Sequence, residues 1–180
     1  MATITLPKTS PDSKTVLFFS GGRSSKFLAD KLKELNGSVE NVIAVFLPLT
    51  AISTIKYSTN SIEVNKAKLQ LQEEYAKFKL AAADYDFHKV IEFLTYEDFD
   101  FENKDNLIGD RGRLGNIYWL LNLILEKNKE LTNIETMVIG INNESKHPNL
   151  THDVDGLFAE ERVFLPFANM TKEEVNALIS

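Results

Sequence analysis

The chain alternates between short, wholly apolar runs and longer stretches where apolar residues recur every three or four positions. "TVLFF" (15–19), "NVIAVFLPL" (41–49) and "ETMVIGI" (135–141) are almost entirely apolar and rich in β-branched and aromatic residues. Such runs suit strands covered on both faces, as in a parallel sheet. "HKVIEFL" (88–94) is a further strand candidate, and "RVFLPF" (162–167) is a last apolar run.

Helical spacing fills the intervals. Phe27, Leu28, Leu32 and Leu35 share one face, and Asn36-Gly37 supplies a stop. Over 60–80, Val64, Ala67, Leu71, Tyr75 and Phe78 form one stripe, and Asn60 with Glu63 resembles a capping box. Over 114–130, Ile117, Leu120, Leu121, Ile124 and Leu125 mark a buried side of a helix that also carries Tyr118 and Trp119. Thr171 with Glu174 forms a second box and opens a short final helix. Residues 1–14, with Pro7 and Pro11, read as an extended lead with an edge strand at Thr3–Leu6. Residues 53–61 read as a loop. Residues 95–112 are acidic, studded with aromatics and without a regular pattern.

Strands alternating with helices predict an α/β fold: a three-layer, doubly wound, mostly parallel sheet. Ligands of such sheets bind outside the carboxyl ends of the strands. The loop "SGGRSS", the 53–61 segment, the acidic insert and the loop after Ile141 would converge there.

Composition narrows this only at the margins. A length of 180 residues fits a single domain over 1–180, with the lead 1–14 and the insert 95–112 as appendages. The net charge of −6 argues against broad nucleic-acid binding while leaving room for one local basic pocket. With no cysteine there is no disulfide framework, no thiolate zinc site and no cysteine nucleophile. No run reaches the roughly 18–20 apolar residues of a membrane span. The first fourteen residues lack the pattern of a secretory signal. A cytoplasmic protein is the expectation.

The chemistry concentrates in "VLFFSGGRSSKF" (16–27). Gly21 and Gly22 can take backbone angles closed to other residues and let a ligand approach the main chain. A helix starting near Ser24 would present unpaired N–H groups and partial positive charge, which favour a phosphate. Ser20, Ser24 and Ser25 add hydroxyls, and Arg23 adds a fixed charge. The other reading is a plain strand-to-helix turn with a serine N-cap.

This loop fits neither the Walker pattern nor G-x-G-x-x-G. It resembles the S-G-G-x-D-S loop of the PP-loop, or N-type, ATP pyrophosphatases, with Ser24 where that family carries aspartate. The second half narrows the likeness. "DRGRLGNIYWLLNLILEKN" (110–128) resembles the P-x-R-N-x-x-F-L-x-x-A segment of the 7-cyano-7-deazaguanine synthase (QueC) family, with Arg113 and Asn116 near its arginine and asparagine. "VIGINNESKHPNLTHDVDGLF" (138–158) resembles its G-x-x-x-x-D-x-S-G-Y-P-D segment, with Gly140 after the strand, His147-Pro148-Asn149 at Tyr-Pro-Asp, and Asp153 downstream. "PFANMTKEEV" (166–175) resembles that family's proline and T-K-x-E-I. The family's four-cysteine zinc tail has no counterpart here.

The resemblance implies an adenine nucleotide alpha hydrolase-like (HUP-type, Rossmann-like) fold and an ATP-dependent C–N ligase. Such an enzyme adenylates the carboxylate of 7-carboxy-7-deazaguanine and converts it with ammonia to the nitrile, in the queuosine pathway. ATP and Mg2+ would be the cofactors, with no zinc. Ser20, Gly21, Gly22, Arg23, Ser24, Ser25 and Gly140 would bind the nucleotide. Arg113 and Ser24 would serve catalysis. Arg111, Asn116, His147, Pro148, Asn149 and Asp153 would contact the substrate. The partners would be that small molecule and ATP, in a compact, phage-type version of the enzyme, with a homodimer through the apolar 114–130 helix as a further expectation.

Competing readings stand beside these. Arg111 and Arg113 could be solvated surface or pair with Asp110, though arginine suits bidentate anion contacts. His147, His152, Asp153 and Asp155 make a poor metal set. The acidic insert could be a solvated loop, a lid or a dimer contact. The whole protein could instead be a catalytically degenerate nucleotide-binding sensor or partner subunit.

Overall fold

The computed structural model describes residues 4–95, 128–140, 142 and 162–180. Among these residues five strands, β1 (Lys14–Phe18), β2 (Val42–Phe46), β3 (Lys89–Glu92), β4 (Ile134–Val138) and β5 (Val163–Phe164), form one sheet in the order β3-β2-β1-β4-β5. Every pairing is parallel. The fold is a doubly wound α/β sheet. The chain works outward from β1 to β2 and β3, then crosses to the other side of β1 for β4 and β5. The order therefore reverses between β1 and β4, and their carboxyl ends flank a crevice.

The apolar runs become strands because both faces of the sheet are buried. In register, Leu17 lies beside Ala44 and Val138, and Val16 lies beside Ile43 and Met137. All six are fully buried. The Leu17 face forms one cluster with Leu28, Ala29 and Leu32 of α1 (Arg23–Asn36) and with Phe78 and Ala81 of the long helix over Ser61–Ala82. Val175 of the last helix, Lys172–Ile179, completes it.

The elements differ from the sequence reading in three places. Residues 4–6 pair with no strand; Ile4 and Leu6 instead pack against the core cluster. Thr9 donates its N–H to Asn36 Oδ1 at 2.9 Å, so the lead is tied to the end of α1 rather than to a sheet edge. The 53–61 segment is largely helical, because α2 (Leu49–Tyr57) starts at Pro48, which cannot extend β2. We number the Ser61–Ala82 helix α3 and the final helix α4. Residues 128–130 form a turn, so no helix runs on to 130. The 96–112 part of the insert and most of the 114–130 helix lie outside the described residues.

The caps also sort themselves out. Thr171 and Glu174 form the full reciprocal box at α4. Asn60 caps α3 by accepting from the Ile62 and Glu63 N–H groups, but Glu63 turns away to accept from the Ser58 hydroxyl at 2.9 Å. Ser58 in turn accepts the Asn60 N–H, so the box is closed through a third residue.

Candidate functional site

The glycine-serine loop leaves β1 at its carboxyl end. Phe19 continues the ladder for one residue, its N–H donating to the Val45 carbonyl at 2.9 Å. Its ring is buried edge-on against Phe78, Tyr85 and Phe87, with centroids 6.1, 5.7 and 5.2 Å away. Phe78 stacks in turn on Phe46 at 4.7 Å. The loop thus stands on a rigid aromatic platform built from β1, β2 and α3.

Gly21 sits at φ 83°, where a side chain is strained. A Cβ there would meet the Phe78 Cα at 2.9 Å and the Lys77 carbonyl oxygen at 3.0 Å. The close approach of α3 therefore requires the missing side chain, a packing reason beside the backbone freedom expected from the sequence. Gly22 is the glycine on the open side. It has ordinary angles (φ −77°, ψ 176°), and a Cβ would approach only the Ser20 hydroxyl, at 3.3 Å.

Gly22 is also the N-cap of α1, so the helix starts one residue earlier than expected and not on a serine. No side chain caps it, and its first turn holds no acid. The serines bond across the loop instead. Ser25 Oγ accepts the Ser20 N–H at 3.0 Å and lies 3.0 Å from Ser20 Oγ. Ser20 Oγ accepts the Gly22 N–H at 3.2 Å. This clasp pins the two ends of the loop together. Among the described residues no side chain accepts from the first-turn N–H groups of α1, and Arg23 is exposed beside them. The partial positive charge of a helix start favours negative charge beside it.

Gly140 lies two residues beyond β4, on the other wall of the crevice. A Cβ there would stand 3.0 Å from Leu28 Cδ1 and 3.6 Å from the Phe167 ring. Its role in the observed packing is to let α1 close against the end of β4. Ser20, Gly21, Gly22, Arg23, Ser24, Ser25 and Gly140 are thus gathered at the switch point. Arg111, Arg113, Asn116, His147, Pro148, Asn149 and Asp153 lie outside the described residues.

No protein-family model matches the chain, and no curated protein matches it in sequence. Among solved structures it is similar to the NH3-dependent NAD synthetase from Campylobacter jejuni subsp. jejuni NCTC 11168, solved in complex with the nitrate ion. The identity is 20% and the TM-score 0.45, over 92% of this chain and 62% of that one. This chain therefore spans less than two thirds of that protein's length.

One site residue escaped the sequence reading. Tyr85, on the turn between α3 and β3, donates its hydroxyl to Asp30 Oδ1 at 2.8 Å and lies 3.3 Å from the Lys26 carbonyl oxygen. Burial, and then the hydrogen bond to Asp30, hold its phenol well above the ordinary tyrosine value. The signal in the sequence was the aromatic density of "DYDF" (84–87), which has no period of its own. Among the described residues no group of three or more histidines or carboxylates could hold a metal ion. No helix among them is long and apolar enough to cross a membrane.

Proposed function

We propose that the protein is an ATP-using enzyme of the PP-loop type that activates a carboxylate and passes it to ammonia. A 7-deazaguanine carboxylate is the substrate we favour. The observation that carries the reading is the position of "SGGRSS". The loop lies at the carboxyl end of β1, at the switch point of a parallel sheet, and opens a helix whose N-terminus has no first-turn acid and, among the described residues, no side-chain cap. These donors fit phosphate oxygens. The serine hydroxyls could also take a place on the magnesium ion that would accompany ATP on its phosphates.

The chain's own residues have separable tasks in this proposal. The first-turn N–H groups of α1, Gly22 and the serine hydroxyls hold phosphate oxygens, and Arg23 offsets their charge. Gly21 lets α3 brace the loop from behind. Arg113, with Arg111, Asn116, His147, Pro148, Asn149 and Asp153, would hold the substrate carboxylate and ring. Bound ATP would supply the group that makes the carboxylate a good acceptor for ammonia. The protein's share is then positioning and charge stabilisation.

The test is incubation with ATP, Mg2+, ammonium and 7-carboxy-7-deazaguanine, with AMP, pyrophosphate and the nitrile followed by mass spectrometry. AMP formed only with the carboxylate present is the expected result. Ser24, at the second position of α1 where the resembled loop carries an acid, favours one alternative: a protein that binds ATP without turning it over. ATP binding with no AMP from any carboxylate would establish that alternative. Absence of ATP binding would remove both.

A further inference from the structure

Phe19 and Lys26 bracket the six residues Ser20 to Ser25, and one side chain from outside the loop reaches both. The Tyr85 ring meets Phe19 edge-on, 5.7 Å between centroids at 77°. Its hydroxyl reaches α1, donating to Asp30 at 2.8 Å beside the Lys26 carbonyl oxygen at 3.3 Å. Phe87 stacks on the ring, 5.2 Å away at 28°, and also packs on Phe19, so the three rings form one triangle. The ring is therefore held in place while its hydroxyl holds α1. Because burial and Asp30 disfavour the phenolate, the hydroxyl remains a donor at neutral pH.

We infer that Tyr85 is a positioning residue for the loop, fixing where α1 begins relative to the end of β1. Backbone donors grip an anion only when they already converge on it, so a looser junction weakens the grip. The serine clasp closes the loop across its mouth, and Tyr85 closes it across its base. The ligand in this inference rests on the phosphate-loop reading; the geometry does not.

The experiment compares the full chain with Tyr85→Phe, Asp30→Ala and the double variant. Tyr85→Phe keeps both ring contacts and removes only the hydroxyl. Calorimetric titration with ATP and with inorganic pyrophosphate should show affinity about three- to tenfold lower in each single variant. The double variant should lose no more than either single one, because both remove the same bond. In the ligand-free protein, the amide NMR signals of Gly21, Gly22 and Arg23 should move.

Thr171→Ala, which removes cap hydrogen bonds that run only between Thr171 and Glu174 of α4, serves as the stability control. It should lower the melting temperature without changing affinity, separating positioning from general loosening. Tyr85→Phe with unchanged affinity and unchanged loop amides would overturn the inference while leaving the phosphate loop intact. Failure of the unaltered protein to bind either ligand would remove the phosphate reading. The amide signals would then decide the inference alone, unmoved signals overturning it and moved ones supporting it.

Discussion

Gly21 and Gly22 are adjacent and chemically identical, yet the fold treats them in opposite ways. Gly21 combines a left-handed φ of 83° with a backbone contact to α3, whereas Gly37 has the same φ and nothing within 4 Å of its missing Cβ. Gly37→Ala should cost about 1–2 kcal/mol, the price of the conformation alone. Gly21→Ala should cost about 2–4 kcal/mol, because the strain and the collision with Phe78 add. Urea unfolding of the two variants measures the difference. Gly22→Asp should behave differently again. The N-cap position welcomes aspartate, so stability should stay within about 0.5 kcal/mol of the parent. The new carboxylate would nevertheless take the first-turn donors and repel phosphate. ATP binding should vanish in a titration while the unfolding curve stays put; retained binding would show that phosphate is not held there.

At the scale of elements, α3 carries more of the site than its distance in sequence suggests. It braces Gly21, and its Phe78 lies fully buried among Phe19, Phe46 and Tyr75. Phe78→Ala should therefore destabilise by about 3–5 kcal/mol. The start of α3 is a milder lever. Asn60→Ala removes the acceptor for two N–H groups and should cost about 1 kcal/mol. That loss should read as a small shift of the denaturant midpoint without change of slope. Much of this element was legible: the 64, 67, 71, 75, 78 stripe and the Asn60 start are local patterns with a 3.6-residue period. The helix α2 was not legible, because nine residues following a proline offer too few turns for a periodic signal. The Thr3–Leu6 strand was misread for a similar reason. Short apolar alternation near a terminus looks the same whether it pairs with a strand or packs by side chains alone.

Across the whole molecule, the half-buried Tyr85 and the surface carboxylate Glu130 act at opposite ends of the pH range. Tyr85 loses its proton at higher pH folded than unfolded, so its contribution is complete below its ordinary value of 10.0 and lost as pH rises above it. Tyr75, raised first by its hydrogen bond to Glu92, acts in the same direction. The melting temperature should fall above pH 10.0, and Tyr85→Phe should flatten that fall. A parent and variant with identical alkaline limbs would contradict the assignment. Glu130, held below its ordinary value chiefly by the hydrogen bond from Lys89, works the other way and releases its small share as pH falls.

Local pattern by itself determined the strand-helix alternation, the parallel sheet and the caps at Asn60 and Thr171. Each depends on neighbours within a few residues, and periodicity records them. Only the tertiary structure decided the strand order that puts the loop at a switch point, and the division of labour between the two glycines. The same holds for the pinning of Gly140 against Leu28 and the place of Tyr85 beneath the loop. These depend on contacts between residues far apart in the chain. Residue 21 meets residue 78, residue 85 meets residue 30, and residue 140 meets residue 28. No periodic signal links such pairs, and packing alone brings them together.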